Sequence, residues 1–203
     1  MNPLRPRPRL AGLISGGGRT LLNLAAAIDR GDLDAEIAIA ISSRPDAPGV
    51  ARLRERGITV ACPARDDHEA ISRILREADV DLVCLCGYLR WLRIDPWMRG
   101  RVINIHPSLL PRHGGHGMYG DRVHAAVLAA GDAESGCTVH VVDEQYDHGP
   151  TILQRRCPVE PGDDVASLAA RVFREECRAY PEAIALVASG AVRVEDGEVV
   201  HDV

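Results

Sequence analysis

The sequence contains no lysine, and its 24 basic residues are all arginine. This absence excludes mechanisms that run through a lysine Schiff base and phosphate loops built around a lysine. No run of about 18 apolar residues is present for a membrane span, and the opening MNPLRPRPRL lacks the apolar core of a signal peptide. A cytoplasmic protein without a membrane partner is expected. No basic block occurs beyond the short RPRPR segment, and the formal net charge is -5, so there is no electrostatic footprint for nucleic acid. No CxxC spacing is found. Cys62, Cys84, Cys86, Cys137, Cys157 and Cys177 lie mostly inside apolar runs, as buried free thiols do. Repeats, low-complexity segments and linkers are also missing. The 203 residues, 46% of them hydrophobic, are therefore expected to form a single domain over 1–203.

What is present in the first half is an alternation of strand-like and helix-like segments. LAGLIS reads as a strand, and a helix is expected from about Arg19 to Arg30. AEIAIAIS, ITVAC, DLVCLC and RVINI read as further strands, with helices over about Pro48 to Gly57 and at HEAISRILREA between them. Nearly continuous apolar strands separated by helices predict an α/β fold with a Rossmann-like, mostly parallel sheet covered by helices. In the second half, Val123, Ala126, Val127 and Ala130 fall at helical spacing. CTVHVVD and TILQRRCPV predict an antiparallel hairpin joined by a short turn. A long helix is expected from about Asp164 to Ser189, then two short edge strands around EDGE.

Two stretches carry chemistry. In RVINIHPSLLPRHGGHGMYG, a strand gives way to a proline-stiffened loop, and Asn104 and His106, two residues apart, face one side together. At the carboxyl end of a parallel sheet, an amide donor and an imidazole converge there on one bound group. The alternative is a capping asparagine and a satisfied histidine in a turn. In LISGGGRTLLNLAAAI, a strand, three glycines and a helix form an arrangement whose free backbone N–H groups receive a phosphate. It fits neither GxxxxGK[ST] nor GxGxxG, which would need glycine at Leu21. A phosphate monoester beside Arg19 and Thr20 suits it better than a dinucleotide or triphosphate. The alternative is a tight turn, although three adjacent glycines cost more chain entropy than one turn requires.

LISGGGRTL, CGYLRWL, INIHPSLLP, GCTVHVVDEQYDHGPTILQ and EECRAYP occur together, in the order and near the spacing of the phosphoribosylglycinamide formyltransferases that use 10-formyltetrahydrofolate. The chain resembles that family over about residues 9 to 195. The resemblance implies formyl transfer to glycinamide ribonucleotide in de novo purine synthesis, with 10-formyltetrahydrofolate as donor and no metal, in a monomer or homodimer. It implies that Asn104, His106 and Asp147 are catalytic, and that Gly17, Gly18, Arg19, Thr20 and Glu176 bind the ribotide. It assigns Arg65, Leu89, Arg90, Leu92, Asn104, Asp143 and Asp147 to the folate cleft. Residues 1–100 would form a phosphate-binding half and 101–203 a catalytic and folate-binding half. Arg19 and Thr20 stand where the family usually has serine and asparagine, yet arginine is a good phosphate ligand. HGGHGMYGDRVH replaces the more usual GLHTH-like stretch, so an amino sugar nucleotide stays open as an alternative acceptor.

The remaining histidines read differently. His113 and His116 are three apart in a loop without nearby cysteine or carboxylate ligands, which disfavours zinc. His124 is expected on the side of the following helix, His140 as a satisfied core residue, and His148 beside Asp147. Trp91 and Trp97 line a pterin pocket or pack in the core. Hydrolysis of the same folate is the enzymatic rival, but those hydrolases carry an extra N-terminal domain for which no segment is seen. A transferase acting on methionyl-tRNA would need a basic C-terminal domain. A non-catalytic folate- or nucleotide-binding module would have no use for the Asn104, His106 and Asp147 constellation.

Overall fold

The computed structural model describes residues 7–195 and 198–201. The chain runs β1 (Arg9–Ile14), α1 (Arg19–Asp29), β2 (Glu36–Ser42), α2 (Pro48–Glu55), β3 (Val60–Ala61), α3 (His68–Glu77), β4 (Leu82–Leu85), β5 (Val102–His106), α4 (Asp121–Ala130), β6 (Glu134–Val141), β7 (Thr151–Pro158), α5 (Val165–Ser189), β8 (Val192–Glu195) and β9 (Glu198–His201). The first seven strands form one sheet in the order β3-β2-β1-β4-β5-β6-β7, and β8 with β9 forms a separate antiparallel pair. Strands β1 to β5 pair in parallel, β6 runs antiparallel to β5, and β7 antiparallel to β6.

The apolar runs arise because both sheet faces are covered. Along β1, Leu10 and Ile14 enter one buried cluster with Leu21, Leu24 and Tyr180, while Ala11 and Leu13 enter the other with Ile71, Leu75 and Met98. Period-two alternation thus sends apolar groups both ways. Each fully buried leucine contributes about 2 kcal/mol.

Three expectations need correction. ITVAC yields strand only at Val60–Ala61, because β3 lies at the sheet edge and pairs only with Ala40 and Ile41. The β6–β7 connection is no short turn: it occupies residues 142–150 and carries Asp143 and Asp147. In α4 the buried residues are Val123, His124 and Val127, whereas Ala130 is exposed. Of the EDGE turn, residues 196 and 197 lie outside the described residues, as do the first two residues of RPRPR.

Helix α5 is tied to the sheet and to α1 by two devices. The fully buried Tyr180 hydroxyl lies 3.0 Å from the Leu85 carbonyl and 3.1 Å from that of Ile103, clamping the helix to β4 and β5. Pro181, inside the helix, has no N–H to give the carbonyl four residues back. That carbonyl, on Cys177, accepts from Asn23 Nδ2 of α1 at 3.1 Å instead. Tyr180→Phe should cost about 1–3 kcal/mol, the usual penalty for leaving buried acceptors unpaired. Chemical denaturation would show a lower midpoint at unchanged slope. An unchanged midpoint would mean that the two carbonyls are satisfied without the hydroxyl.

Candidate active site

The strand order reverses between β1 and β4, and the loops after β1, β4 and β5 open on the same carboxyl edge of the sheet, where ligands settle in such folds. A cleft of about 540 Å³ lies there, within the usual size for small-molecule sites. Arg19, Thr20 and Glu176 border it, as do Leu89, Arg90, Leu92, Asn104, His106, Asp143 and Asp147. Gly17, Gly18 and Arg65 do not border it. Arg65 is exposed and pairs with its neighbour Asp66 at 3.3 Å.

Asn104 and His106 both belong to β5, and the strand's alternation turns them the same way. Their cross-strand partners on β6 are His140 and Thr138. A carbonyl only accepts, so the 2.8 Å contact between His106 Nε2 and the His113 carbonyl makes Nε2 the donor. Nδ1 of His106 then faces Asp147 Oδ2 at 3.4 Å. The same reasoning makes Nδ1 of His140, 2.9 Å from the Val141 carbonyl, a donor, and its Nε2 lies 3.1 Å from Asn104 Nδ2 and 3.6 Å from Asp147 Oδ1. His140 is thus satisfied as expected, and its bond also orients the asparagine. The other Asn104 bond, to Asp147 Oδ1, is longer at 3.4 Å and is the one a ligand oxygen can replace.

Asp147 reaches this cluster through a strained loop. Its φ is 54°, a left-handed conformation uncommon outside glycine, and its Oδ2 accepts the Gly115 N–H at 3.0 Å. Two residues on, a Cβ at Gly149 would stand 1.9 Å from the Val141 carbonyl, so only glycine lets the loop return so close to β6. His148 points away from Asp147 and holds Asp143 at 2.7 Å. The proline-stiffened loop after β5 is anchored from β6 and β7. Thr138 Oγ1 donates to the Ser108 carbonyl at 2.7 Å, and Gln154 Nε2 donates to the Leu110 carbonyl at 2.9 Å.

Burial lowers the pKa of His106 below the ordinary imidazole value; the Asp147 charge and the His113 carbonyl oppose this without reversing it. For Asp147, burial pushes the carboxyl up. The neighbouring His140, 3.6 Å away, the His106 charge and the Gly115 N–H together outweigh that and leave it lowered. Glu176, partly buried in the cleft wall, is raised to about 7 by desolvation, with Arg19 opposing.

The glycine loop is shaped by its surroundings. Gly18 caps α1 in the left-handed conformation, with φ 69° and no side-chain cap, so the first N–H groups of the helix stay free. The loop is held by Gly49 N–H donating to the Gly16 carbonyl at 3.0 Å and by Arg52 reaching the Gly17 carbonyl at 3.4 Å. Arg19 lies over the Phe173 ring, 3.6 Å from its centroid.

Sequence reasoning missed part of the cleft. Tyr146 stacks edge-on between Trp91 at 5.3 Å and His116 at 5.4 Å, and Arg122 lies over Tyr119 at 4.9 Å. Of these Trp91 carried a signal as an aromatic inside GYLRWL, and Tyr146 lies within the Asp143 to Asp147 segment that the resemblance places on the folate cleft; His116, Tyr119 and Arg122 were the ones missed. His124 lies on α4, as expected, and from there lines the cleft. His113 does have a carboxylate nearby, Asp132 at 2.7 Å, supplied by the turn after α4. Among the described residues no group of three or more His, Cys, Asp or Glu is arranged to hold a metal ion, and no helix is long and apolar enough to cross a membrane.

Residues 8–184 match the formyl transferase family, and the chain belongs to it. Within it the chain groups with the phosphoribosylglycinamide formyltransferases. It is 35% identical over 197 residues to that enzyme of Haemophilus influenzae, covering 93% of this chain and 91% of the relative. The crystal structure of glycinamide ribonucleotide transformylase 1 from Symbiobacterium toebii superposes with a TM-score of 0.87 at 36% identity, covering 97% of this chain and 94% of that one. The trifunctional purine biosynthetic protein adenosine-3 of Drosophila pseudoobscura pseudoobscura is 41% identical over 93% of this chain, and the match spans 14% of that longer protein.

Proposed function

We propose that this chain transfers the formyl group of 10-formyltetrahydrofolate to the amino group of glycinamide ribonucleotide. The observation that carries the reading is the cluster in which Asn104 donates to Asp147 and His106 Nδ1 lies 3.4 Å from the same carboxylate, in a cleft whose borders include Arg19, Thr20 and Glu176. The apolar wall of Leu89, Trp91, Leu92 and Tyr146 suits the rings of a folate, with Arg90 and Asp143 as polar partners at its edge. The bound donor supplies an already activated formyl carbon.

The chain's own groups do the rest. Asn104 gives its Nδ2–H to the oxyanion that forms when the amine attacks, exchanging its long bond to Asp147 for this one. His106 adds positive charge beside that oxyanion when protonated and exchanges its proton with Asp147. Asp147 passes protons between the attacking amine and the leaving nitrogen, directly or through water. Arg19 and the free N–H groups of α1 hold the phosphate, and Glu176 accepts from the ribose hydroxyls. Each ligand is served by both halves of the chain.

The deciding assay is formyl transfer to glycinamide ribonucleotide, with formate release and an amino sugar nucleotide as controls. Transfer to the sugar nucleotide alone, or formate release without transfer, would overturn the reading. Arg19→Ala should raise the KM for the ribotide by roughly 10- to 100-fold, since a charged hydrogen bond contributes about 1.5–3 kcal/mol. Folate affinity, read by calorimetry, should stay the same. Equal weakening of both ligands would leave Arg19 with only its packing role on Phe173.

A further inference from the structure

His124 is the buried polar group of the cleft that the chemistry above leaves unused. It sits in the first turns of α4, is 5% exposed, and borders the cleft. Its Nδ1 is enclosed by protein and has no hydrogen-bond partner among the described residues. Since the ring lines the cleft and Nδ1 is walled in, Nε2 is the nitrogen left to face the open space. A walled-in Nδ1 without an acceptor is the bare nitrogen of the ring, which leaves the proton on Nε2, and a buried N–H is costly unless it is satisfied. A core histidine with no ligand would be expected to find a protein partner, as His140 does with Asn104 and the Val141 carbonyl.

The surroundings point to what satisfies it. Helix α4 packs on α5, and α5 on α1, so His124 stands in the helical layer that also presents Glu176 and Arg19. The aromatic wall of Trp91 and Tyr146 belongs to the loops after β4 and β6. Helix α4 begins at Gly120 without a side-chain cap, as α1 begins at Gly18, so two uncapped helix starts belong to this layer. Burial, with Arg19 and His106 nearby and only Asp121 opposing, keeps the imidazole neutral. A neutral ring with one N–H suits an oxygen of a sugar phosphate and has little to offer a flat apolar ring.

Building on the proposed acceptor, we propose that His124 is a specificity residue that donates a hydrogen bond from Nε2 to an oxygen of the acceptor's phosphoribosyl group. The test is calorimetric binding of ribose 5-phosphate and of the ribotide to the wild-type chain and to His124→Ala, His124→Asn and His124→Gln, with folate binding and melting temperature measured beside it. Ribose 5-phosphate carries the sugar and phosphate oxygens but no glycinamide arm and does not depend on catalysis.

Ala and Asn should bind both sugar phosphates about tenfold or more weakly. Gln, whose amide nitrogen reaches the place of Nε2, should stay within about threefold of wild type, with folate affinity unchanged in all three. Wild-type affinity for ribose 5-phosphate in the Ala and Asn proteins would overturn the inference. So would a parallel loss of folate affinity and melting temperature in all three, which marks a histidine that only supports the fold. If the wild type transfers formyl to the ribotide while the variants bind as it does, this inference alone fails. If the wild type binds neither the ribotide nor ribose 5-phosphate, the proposed acceptor fails and the inference with it.

Discussion

His106→Ala is expected to turn over at least a hundredfold more slowly than wild type while folding normally, because a positioned acid-base group contributes roughly 10² to 10⁴. The side chain is 3% exposed at the last residue of β5, and the backbone pairing of His106 with Thr138 does not depend on the side chain. Its removal takes one partner from the His113 carbonyl, in a loop held independently by Thr138 and Gln154. Folate binding should persist, since the apolar wall of the cleft is contributed by other loops. The loss should therefore fall on kcat and much less on either KM. Near-normal turnover in a folded His106→Ala protein, with melting checked by circular dichroism, would remove His106 from the chemistry.

Much of the architecture was legible because the residues leave few choices. Runs such as AEIAIAIS and DLVCLC are apolar on both sides of the strand, which only a doubly covered sheet tolerates, and Gly18 and Gly131 mark the start of α1 and the end of α4. The position of Asn104 and His106 on one face followed from strand periodicity and their spacing. The partners of that pair were less accessible. Asp147 meets His106 because the 142–150 loop folds back under the constraint of Gly149, and the sequence suggested a short turn there. His124 was placed on α4, but its part in the cleft was not legible, because a helix side and a cleft wall show the same spacing and differ only in what surrounds them. Arg65 falls outside the cleft for a related reason. Its loop is exposed and its side chain is engaged with Asp66, which spacing along the chain does not reveal.

Asp147→Asn should lower kcat by at least tenfold and move the arm of the pH profile that follows the imidazole to lower pH. The sign follows from the geometry. Nε2 of His106 is committed to the His113 carbonyl, so the proton that comes and goes is the one on Nδ1, which faces Asp147 Oδ2 at 3.4 Å. A carboxylate there favours the protonated ring and opposes the desolvation that already lowers the His106 pKa. Replacing it with an amide removes that opposition and favours the neutral ring, so its pKa falls further. The amide keeps an oxygen for the Gly115 N–H, so the left-handed loop should hold its place. Because the two groups titrate together, the displaced arm belongs to the pair and not to either residue alone. Imidazole resonances followed through a pH series, alongside kcat, separate the outcomes. A lowered imidazole pKa with reduced kcat supports the proton exchange between His106 and Asp147. If rate and pKa both stay at the wild-type values, Asp147 serves only to anchor the loop through Gly115, and the proton must travel by another route.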